Sequence, residues 1–528
     1  MSPPLRVRIA VLLLFAVGAW AGSSPTGYAQ EDASSDRPPN IVLFLVDDLG
    51  WQDTSVPFHT VRTPFNDVYR TPGVAQLADQ GVLFTNAYAA SPVCTPTRTS
   101  IMTGRHPART HITDWTLRPD VEKQRRTRPS LSVTAPDWNV RGLQPADTTL
   151  PALLQEGGYR TIHVGKAHFG ALGTPGADPT TLGFDVNIAG HAAGAPGSYH
   201  SEEKYGNDED GPWGVPGLEQ YYGTDTYLTR ALTYEAAEAI RAAVRDEEPF
   251  FLNMAHYAVH APIMADSQYV DHYVGTNATE AAYASMVEGY DASLRALLWT
   301  LEDLGVADRT LVLFTSDNGG LSAHSRGQTP MGTGLNTHNL PLRSGKGSAY
   351  EGGVRVPMIV AWAKRDPSQP VQKRLPIAPG ARTDAPVTSH DLFPSILTVA
   401  GVPRPAGYEL DGRSFVPLLG SPQASDTAQD TTHFWHYPHL WGPRGPGLKP
   451  FTAARVGDWK LIYFYDEGRY ELYNLADDLG ETTNLVEAQP AVARRLANRM
   501  RAWMQRVGAQ PPVDRVTGQS VGRPPLPE

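Results

Sequence analysis

Two apolar runs that end on acidic residues constrain the fold of this chain more than any other feature of its sequence. The first, Ile41–Val46, leads directly into Asp47 and Asp48, and the second, in the segment RTLVLFTSDNGG, leads into Asp317 and Asn318. A continuous apolar run of this kind is typical of a strand that is buried on both faces of a parallel sheet. The two runs therefore predict a parallel sheet covered by helices.

The rest of the chain repeats an alternation of helix and strand patterns. This order recurs between residues 39 and 430 and predicts one large α/β domain with a mostly parallel sheet flanked by helices. After a polar stretch at 420–432, two short strand patterns and a helix predict a small α+β subdomain over residues 431–510. We expect residues 511–528 to form a loose tail.

The N-terminus has the pattern of a secretory signal peptide. Two arginines precede an apolar run over residues 9–20, so we expect residues 1–21, or up to about residue 30, to be removed. An uncleaved membrane anchor is the alternative, although the run is short for a span. No later stretch is apolar enough to cross a bilayer, so the sequence predicts export to the periplasm or the extracellular space without stable membrane insertion.

Composition excludes some classes of function. Hydrophobic residues make up 41% and charged residues 19% of the chain, which is ordinary for a soluble globular protein. The formal net charge of −10 is spread along the chain and leaves no basic face. We therefore predict no nucleic-acid partner.

The two acidic strand ends predict a metal site. Because the carboxyl ends of parallel strands line one crevice, neighbouring strands would bring Asp47, Asp48, Asp317 and Asn318 together. Three buried carboxylates repel one another unless a cation neutralises them. Oxygen ligands suit a hard ion such as Ca2+, with Mg2+ as an alternative, rather than zinc. Either pair alone would more often be a solvated turn or a helix cap, but two such pairs favour a metal.

The chain of 528 residues has one cysteine, Cys94, in the segment SPVCTPTRTSIMTGR. By itself it could be a buried, inert thiol or a nucleophile activated at a helix N-terminus. The run from Cys94 to Arg98 resembles the Cys-x-Pro-x-Arg signature of the type I sulfatases, a family of the alkaline-phosphatase superfamily. In that family a separate maturation enzyme oxidises the cysteine to formylglycine.

Other segments resemble motifs of the same family, in the same order, over roughly residues 39–490. They are NIVLFLVDDLGW, GYRTIHVGKAHFG, HYAVHAP, FTSDNGG, LPLRSGKGSAYEGGVRVP and GDWKLIYFY with ELYNLADDLGE. Two positions depart from the commonest pattern, since Thr97 replaces a smaller residue and Ala167 replaces a tryptophan. Neither change removes a reactive group, so they bear on substrate fit rather than on chemistry.

The resemblance implies an alkaline-phosphatase-like fold and hydrolysis of sulfate monoesters by hydrated formylglycine at position 94. It also implies that the four strand-end residues bind the metal together with the modified Cys94. A sulfate ester is a hindered anion, so its hydrolysis needs a strong nucleophile and nearby positive charge. A serine could take the first step but would remain sulfated, whereas the second hydroxyl of the hydrated aldehyde can expel sulfate.

The resemblance also assigns roles to five cationic or titratable residues. Arg98 would orient the hydrated aldehyde, and Lys166 and Lys346 would hold the sulfate oxygens. Lys346 or His260 would protonate the leaving oxygen, and His168 would act as the base in sulfate release. Each histidine or lysine taken alone is more often structural or solvated.

The segment FWHYPHLWGP is the candidate substrate pocket. Trp435, His436 and His439 combine aromatic faces with polar edges, as sugar recognition requires, although an apolar joint between domains is the alternative. The segments HITDW and GFDVNIAGHAAGAPGSY resemble those of bacterial sulfatases that act on galactose-type sugars sulfated at position 4. We therefore expect a sulfated glycan as substrate, with galactose or N-acetylgalactosamine 4-sulfate as the candidate sugar.

Two other functions stay open. A formylglycine-dependent phosphonate or phosphate ester hydrolase of the same superfamily would use a similar site. A catalytically silent glycan-binding homologue would be expected to have lost Cys94, Arg98 or the metal carboxylates, and all of these are present.

Overall fold

The computed structural model describes residues 37–120, 131–207, 211–327, 336–423, 431–442 and 445–528. The predicted signal peptide, residues 1–21 or up to about residue 30, lies outside these ranges. Residues Pro38–Glu528 form one unit in which the main domain and the C-terminal subdomain pack together. Within the described ranges, none of the helices combines the length and the apolar character needed to cross a membrane.

The described strands form one large sheet and three smaller ones. They are β1 Asn40–Val46, β2 Val82–Phe84, β3 Ala87–Tyr88, β4 Val133–Thr134, β5 Arg160–Gly165, β6 Val186–Ile188, β7 Phe250–Ala255, β8 Thr310–Ser316, β9 Met358–Trp362, β10 Ala381–Thr383, β11 Val387–Thr388, β12 Thr432–Tyr437, β13 Phe451–Val456, β14 Trp459–Phe464, β15 Arg469–Asn474 and β16 Val513–Asp514.

The described α-helices flank these sheets. They are α1 Phe65–Val68, α2 Pro72–Gln80, α3 Cys94–Thr103, α4 Pro107–Thr110, α5 Leu150–Glu156, α6 Leu228–Arg245, α7 Ala278–Asp303, α8 Ala323–Arg326, α9 Glu351–Val354, α10 Pro370–Arg374, α11 Leu392–Ala400, α12 Val416–Gly420 and α13 Pro490–Val507.

The large sheet has eight strands in the order β10-β2-β9-β8-β1-β7-β5-β6. Its pairs are parallel except those made by β9, which runs antiparallel to β2 and to β8. The predicted α/β fold with a mostly parallel sheet is therefore confirmed, with one reversed strand inside it.

Strand β1 shows why its apolar run has no polar interruption. Its seven residues are all buried, because the sheet is covered on both faces. Val42 and Phe44 pack in a cluster with apolar residues of α6 and α7. Leu43 and Leu45 point to the opposite face and pack in a cluster with residues of α3, α5 and α11. The strand therefore occupies the centre of the domain.

The C-terminal subdomain is a four-stranded antiparallel sheet, β12-β13-β14-β15, covered on one side by α13. The apolar residues of α13 recur at helical spacing and bury Leu496, Met500 and Trp503 against this sheet. This confirms the predicted small α+β subdomain.

The prediction of a loose tail over 511–528 is wrong. Strand β16 pairs with β4, and Tyr470 donates a hydrogen bond to the carbonyl of Pro525 over 2.6 Å. These contacts satisfy backbone groups that a solvated tail would leave to water, so the tail is fixed to the main domain through β4 and to the subdomain through Tyr470.

A buried ion cluster joins the subdomain to the main domain. Lys460 of β14 places Nζ 2.9 Å from Glu351 Oε1 and 2.9 Å from Glu481 Oε1. All three side chains are fully buried. Tyr88 of the main domain also donates to Glu351, over 2.6 Å. The ammonium of Lys460 is therefore the shared cation of two buried carboxylates.

We expect Lys460→Met to lower the free energy of unfolding by about 3–5 kcal/mol, because the substitution leaves buried carboxylates without their shared cation. Chemical denaturation followed by fluorescence measures the change. Lys364→Met is the matched control, since the Lys364–Glu302 pair is exposed and water already solvates both groups. Similar losses of stability in the two variants would contradict a role for the buried cluster.

Candidate active site

The ends of β1 and β8 bring the predicted metal ligands together. The two strands pair in register, with Val46 opposite Ser316, so the residues that follow emerge side by side. The backbone N–H of Asp48 donates to Asp317 Oδ1 over 3.2 Å, and Asn318 Nδ2 donates to Asp48 Oδ1 over 2.7 Å. Asp48 adopts a left-handed backbone conformation, with φ of 61°, which turns the chain away from the strand direction.

Cys94 is the first residue of α3 and lies against this acidic group. Its Sγ is 3.7 Å from Asp47 Oδ1 and 3.2 Å from Lys346 Nζ. One ligand atom from each of Cys94, Asp47, Asp48 and Asp317 lies within 4.8 Å of all the others. The structure therefore places the cysteine and the three carboxylates around one point.

Three cations from other segments pair with the three carboxylates. Lys166 Nζ lies 2.6 Å from Asp47 Oδ2, Lys346 Nζ lies 2.6 Å from Asp48 Oδ1, and Arg98 Nε lies 2.7 Å from Asp317 Oδ2. None of the six side chains is more than 1% exposed. Such a group is stable only when its charges stay closely paired.

The cations and the burial act in opposite directions on the pKa values of the carboxyls. Burial raises the pKa of Asp47 well above its usual range, and the neighbouring Asp317 adds to this effect. Burial also opposes ionisation of Asp317, but Arg98 and Lys166 bring the pKa of Asp317 down to about 2. For Asp48, the attraction of Lys346 and His260 outweighs burial and lowers the pKa below its usual range. Further positive charge would therefore favour ionisation of Asp47.

Two buried oxygens at this point are suited to a metal ion. Asp48 Oδ2 and Asn318 Oδ1 have no hydrogen-bond partner among the described residues. Buried polar atoms are normally satisfied, so two unsatisfied oxygens beside three carboxylates indicate a place for a cation. An all-oxygen set of Asp47, Asp48, Asp317 and Asn318 fits Ca2+ or Mg2+.

Of the two predicted catalytic histidines, His260 lies against the acidic group, and His168 lies near its cations, since Lys166 and Arg98 add to burial in lowering the pKa of His168. His168 Nε2 contacts the carbonyl of Thr116 at 2.8 Å, and because a carbonyl only accepts, Nε2 carries the proton. Nδ1 is then a lone pair, buried and without a partner among the described residues. His260 Nε2 is 3.6 Å from Asp48 Oδ2, and its side chain is 20% exposed. His260 therefore lies where the otherwise buried site meets solvent.

The predicted substrate-binding residues lie in the joint between the main domain and the subdomain instead. Trp435 is 1% exposed, and its Nε1 donates to the carbonyl of Ala89 over 2.9 Å. His436 is buried and contacts Thr452 and the carbonyl of Gln510. The assignment of Trp435 and His436 to substrate contact is wrong for this conformation, because packing occupies their faces and their polar atoms.

His439 is also buried, and its ring nitrogens contact Thr113 at 2.9 Å and Asp114 at 3.4 Å. It therefore supports the segment that carries Thr116 rather than facing solvent. Trp441, in the same segment, is half-buried and lies with its ring 5.5 Å from Lys346 Nζ. The residue of this segment that lies beside Lys346 is thus Trp441.

Sequence reasoning missed two residues that hold the site in place. The hydroxyl of Ser316 accepts from the N–H of Leu49 and donates to the carbonyl of Asn318, linking the two metal loops. The carbonyl of Thr116 fixes the tautomer of His168. A serine at a strand end carries little signal by itself, and a backbone carbonyl carries none.

These features define a class of protein: a hydrolase of the alkaline-phosphatase superfamily, with a candidate metal site at the strand ends and a candidate nucleophile at a helix N-terminus. The chain belongs to the sulfatase family, whose profile matches residues 39–402, and it is a sulfuric ester hydrolase. The C-terminal profile of N-sulphoglucosamine sulphohydrolase matches residues 345–509.

Individual relatives agree with this assignment. A sulfatase of Formosa agariphila is 29% identical over 531 residues, covering 90% of each chain. The N-acetylgalactosamine-6-sulfatase of Homo sapiens is 29% identical over 501 residues, covering 88% of this chain and 85% of that one. The crystal structure of Ps i-CgsB in complex with k-i-k-neocarrahexaose is similar with a TM-score of 0.68 at 26% identity, covering 88% of this chain and 93% of that one.

We expect Ca2+ to raise the midpoint temperature of unfolding of protein from which a chelator has first removed metal. An ion that binds only the folded state stabilises it by about 2.7 kcal/mol when the free ion concentration is a hundred times Kd. Asp317→Asn should abolish most of this rise, whereas the exposed Asp271→Asn should keep it. Differential scanning calorimetry measures both. A rise of the same size in the Asp317 variant would show that the ion binds elsewhere.

Proposed function

We propose that this protein removes sulfate from a sulfated glycan, using a formylglycine made from Cys94. The observation that carries the proposal is the convergence of Cys94 with three carboxylates and three cations around one buried point. A nucleophile in such a position faces an anionic substrate with positive charge already in place. Hydrated formylglycine would supply one hydroxyl as nucleophile and a second through which sulfate is expelled.

The metal ligands in this proposal are Asp47, Asp48, Asp317 and Asn318, together with modified residue 94. The bound ion, Ca2+ by its preference for oxygen ligands, would supply positive charge that lowers the pKa of the attacking hydroxyl. Lys166 and Lys346 would hold the sulfate oxygens, since Lys346 contacts Cys94 Sγ and Lys166 pairs with Asp47, which contacts the same sulfur. The chain thereby surrounds the sulfate with cations before reaction.

Arg98 and His168 would orient and deprotonate the two hydroxyls of residue 94. Arg98 donates from Nη1 to the carbonyl of Lys166 and from Nε to Asp317, so its plane is fixed. Its Nη2 has no hydrogen-bond partner among the described residues and can donate to a hydroxyl on residue 94. The buried lone pair of His168 Nδ1 suits it to take the proton when sulfate leaves.

We assign the general acid to His260 rather than to Lys346. The sugar is the large part of the substrate and must extend toward solvent from the buried sulfate. The His260 side chain is 20% exposed, whereas that of Lys346 is 1% exposed. The oxygen that joins the sugar to the sulfate would therefore lie near His260. Lys346 would contact the buried sulfate.

For the sugar itself, we propose a galactose-type unit. The N-acetylgalactosamine-6-sulfatases among the relatives and the carrahexaose complex of Ps i-CgsB support this class. Trp441, beside Lys346, would offer an aromatic face for the sugar ring. Galactose or N-acetylgalactosamine 4-sulfate is our candidate substrate, and the 6-sulfates are the isomers to compare with it.

Two further parts of the proposal concern maturation and location. Conversion of Cys94 requires a formylglycine-generating enzyme as a partner. We also propose export to the periplasm or the extracellular space, on the signal-peptide pattern of residues 1–21.

We expect His260→Asn to reduce kcat/KM for N-acetylgalactosamine 4-sulfate and 6-sulfate by about a hundredfold or more, the usual contribution of a general acid. The loss on 4-nitrophenyl sulfate should be much smaller, because nitrophenolate leaves without a proton. Lys346→Met should reduce activity on the sugar and aryl substrates by similar factors. The general acid would instead be Lys346 if Lys346→Met lost far more activity on the sugar sulfates than on 4-nitrophenyl sulfate, while His260→Asn lost similar factors on both.

Mass spectrometry of the tryptic peptide that ends at Arg98, from protein made in its own host, should show formylglycine at residue 94. Cys94→Ala should give neither the aldehyde nor activity on an aryl sulfate. Active protein with an unmodified Cys94 would contradict the mechanism. A higher rate on an aryl phosphate or phosphonate than on an aryl sulfate would favour the phosphonate or phosphate ester hydrolase instead.

A further inference from the structure

A cavity of about 720 Å³ lies between the main domain and the C-terminal subdomain. Residues 386–391 and 411–418 line it from one side, and residues 431–434 and 499–506 line it from the other. His106, just beyond the C-terminal end of α3, also lines it. Cys94 begins the same ten-residue helix, which is about 15 Å long. The cavity therefore shares no residue with the catalytic centre.

His433 lines this cavity and is held in place by Thr388. The hydroxyl of Thr388 lies 3.0 Å from His433 Nδ1 and also caps the turn at 389–391 by accepting a backbone N–H. His433 Nε2 is buried, so a ligand in the cavity does not reach it in this conformation. Burial lowers the pKa of His433 to about 3, so the ring is neutral near pH 7 and adds no charge to the cavity.

The other two histidines of the cavity differ from each other. His106 uses both nitrogens, since Nδ1 accepts from the N–H of Ala108 and Nε2 contacts the carbonyl of Phe434 at 2.9 Å. His390 leaves Nδ1 buried without a partner among the described residues. Because these nitrogens are buried or already engaged, ligand binding in this cavity is assigned to its other side chains.

Arginines give the cavity its positive charge. Arg413, Arg499 and Arg506 all line it, and Arg413 and Arg506 are exposed. The carboxylate of Asp411 is already held by Arg109, at 2.7 Å. That of Asp391 accepts the N–H groups of Thr388 and Arg413, each at 2.7 Å. The three arginines outnumber these two acids, so the described lining of the cavity carries net positive charge.

The rest of the lining is apolar and suits a sugar. Trp503 stacks on Phe434 with ring centroids 4.5 Å apart, and Phe415, Pro417 and Leu418 continue the apolar wall. The volume is in the range of cavities that hold drug-sized ligands, far more than an inorganic anion fills. Guanidinium groups beside an apolar wall are the chemistry that recognises a sulfated sugar.

We propose that this cavity binds a sulfated oligosaccharide segment at a second site, with Arg413 and Arg499 holding a sulfate group. The inference rests on the proposed function in one respect, that the substrate is a sulfated glycan. The second site would retain a glycan chain on the enzyme while the catalytic centre acts on one of its sulfates.

Calorimetric titration of the full-length protein tests this site. The titrants are a carrageenan hexasaccharide, the same hexasaccharide after desulfation, and inorganic sulfate, each added to a Cys94→Ala background that prevents turnover. Adding Arg413→Gln and Arg499→Gln should weaken binding of the sulfated hexasaccharide about tenfold or more, since charge-assisted hydrogen bonds are lost. Arg494→Gln combined with Arg495→Gln is the matched control, because the two changes remove the same charge from exposed positions on α13 that do not line the cavity.

The thermal midpoint of the arginine pair is measured first, so that a loss of affinity is read from folded protein. Unchanged affinity in the arginine pair would overturn the proposal. Equal binding of the desulfated hexasaccharide, or binding of inorganic sulfate in preference to the hexasaccharide, would overturn it too.

Activity on an aryl sulfate separates this proposal from the proposed function. With Cys94 intact, the arginine pair should keep kcat/KM for 4-nitrophenyl sulfate within about twofold, because the cavity lies apart from the catalytic centre. If the protein hydrolyses no sulfate ester but the arginine pair still loses hexasaccharide affinity, the proposed function fails and the second site stands.

Discussion

The parallel register of β1 with β8 is the constraint on which the rest of the site depends. Because Val46 lies opposite Ser316, the acidic residues that follow the two strands emerge side by side with no room to separate. Three buried carboxylates in this position are tolerable only beside positive charge. Arg98, Lys166 and Lys346 supply it from three different segments, so these segments must converge on the strand ends.

Much of this arrangement could be predicted from the sequence, because its signals are local. The apolar run that ends at Asp47 and Asp48 predicts the buried strand. It also predicts that the two carboxylates lie at the end of that strand. The sharp turn at Asp48 and the link through Ser316 could not be predicted, because each depends on the partner strand. The tautomer of His168 depends on a backbone carbonyl, which no residue pattern reveals.

The segment around Trp435 shows a second limit of sequence reasoning. An aromatic and histidine-rich stretch is equally suited to a sugar pocket and to a packed joint, and only tertiary contacts separate the two. Here the edge strand β12 packs Trp435 against the main domain, with its ring 5.2 Å from that of Tyr88. Beyond the strand the chain turns back toward Lys346, so the later aromatic residue, Trp441, lies beside the site.

The catalytic centre and the joint cavity differ in how their positive charge is balanced. At the centre every cation lies within 2.7 Å of a carboxylate, so little net charge attracts a distant anion until a metal ion binds. In the cavity the carboxylates of Asp391 and Asp411 are held by local donors, and Arg413 remains exposed at the rim. Exposed charge acts over about one Debye length, roughly 8 Å at physiological salt. The cavity is therefore better suited to bind a polyanionic chain first. The buried centre is better suited to select one of its sulfates.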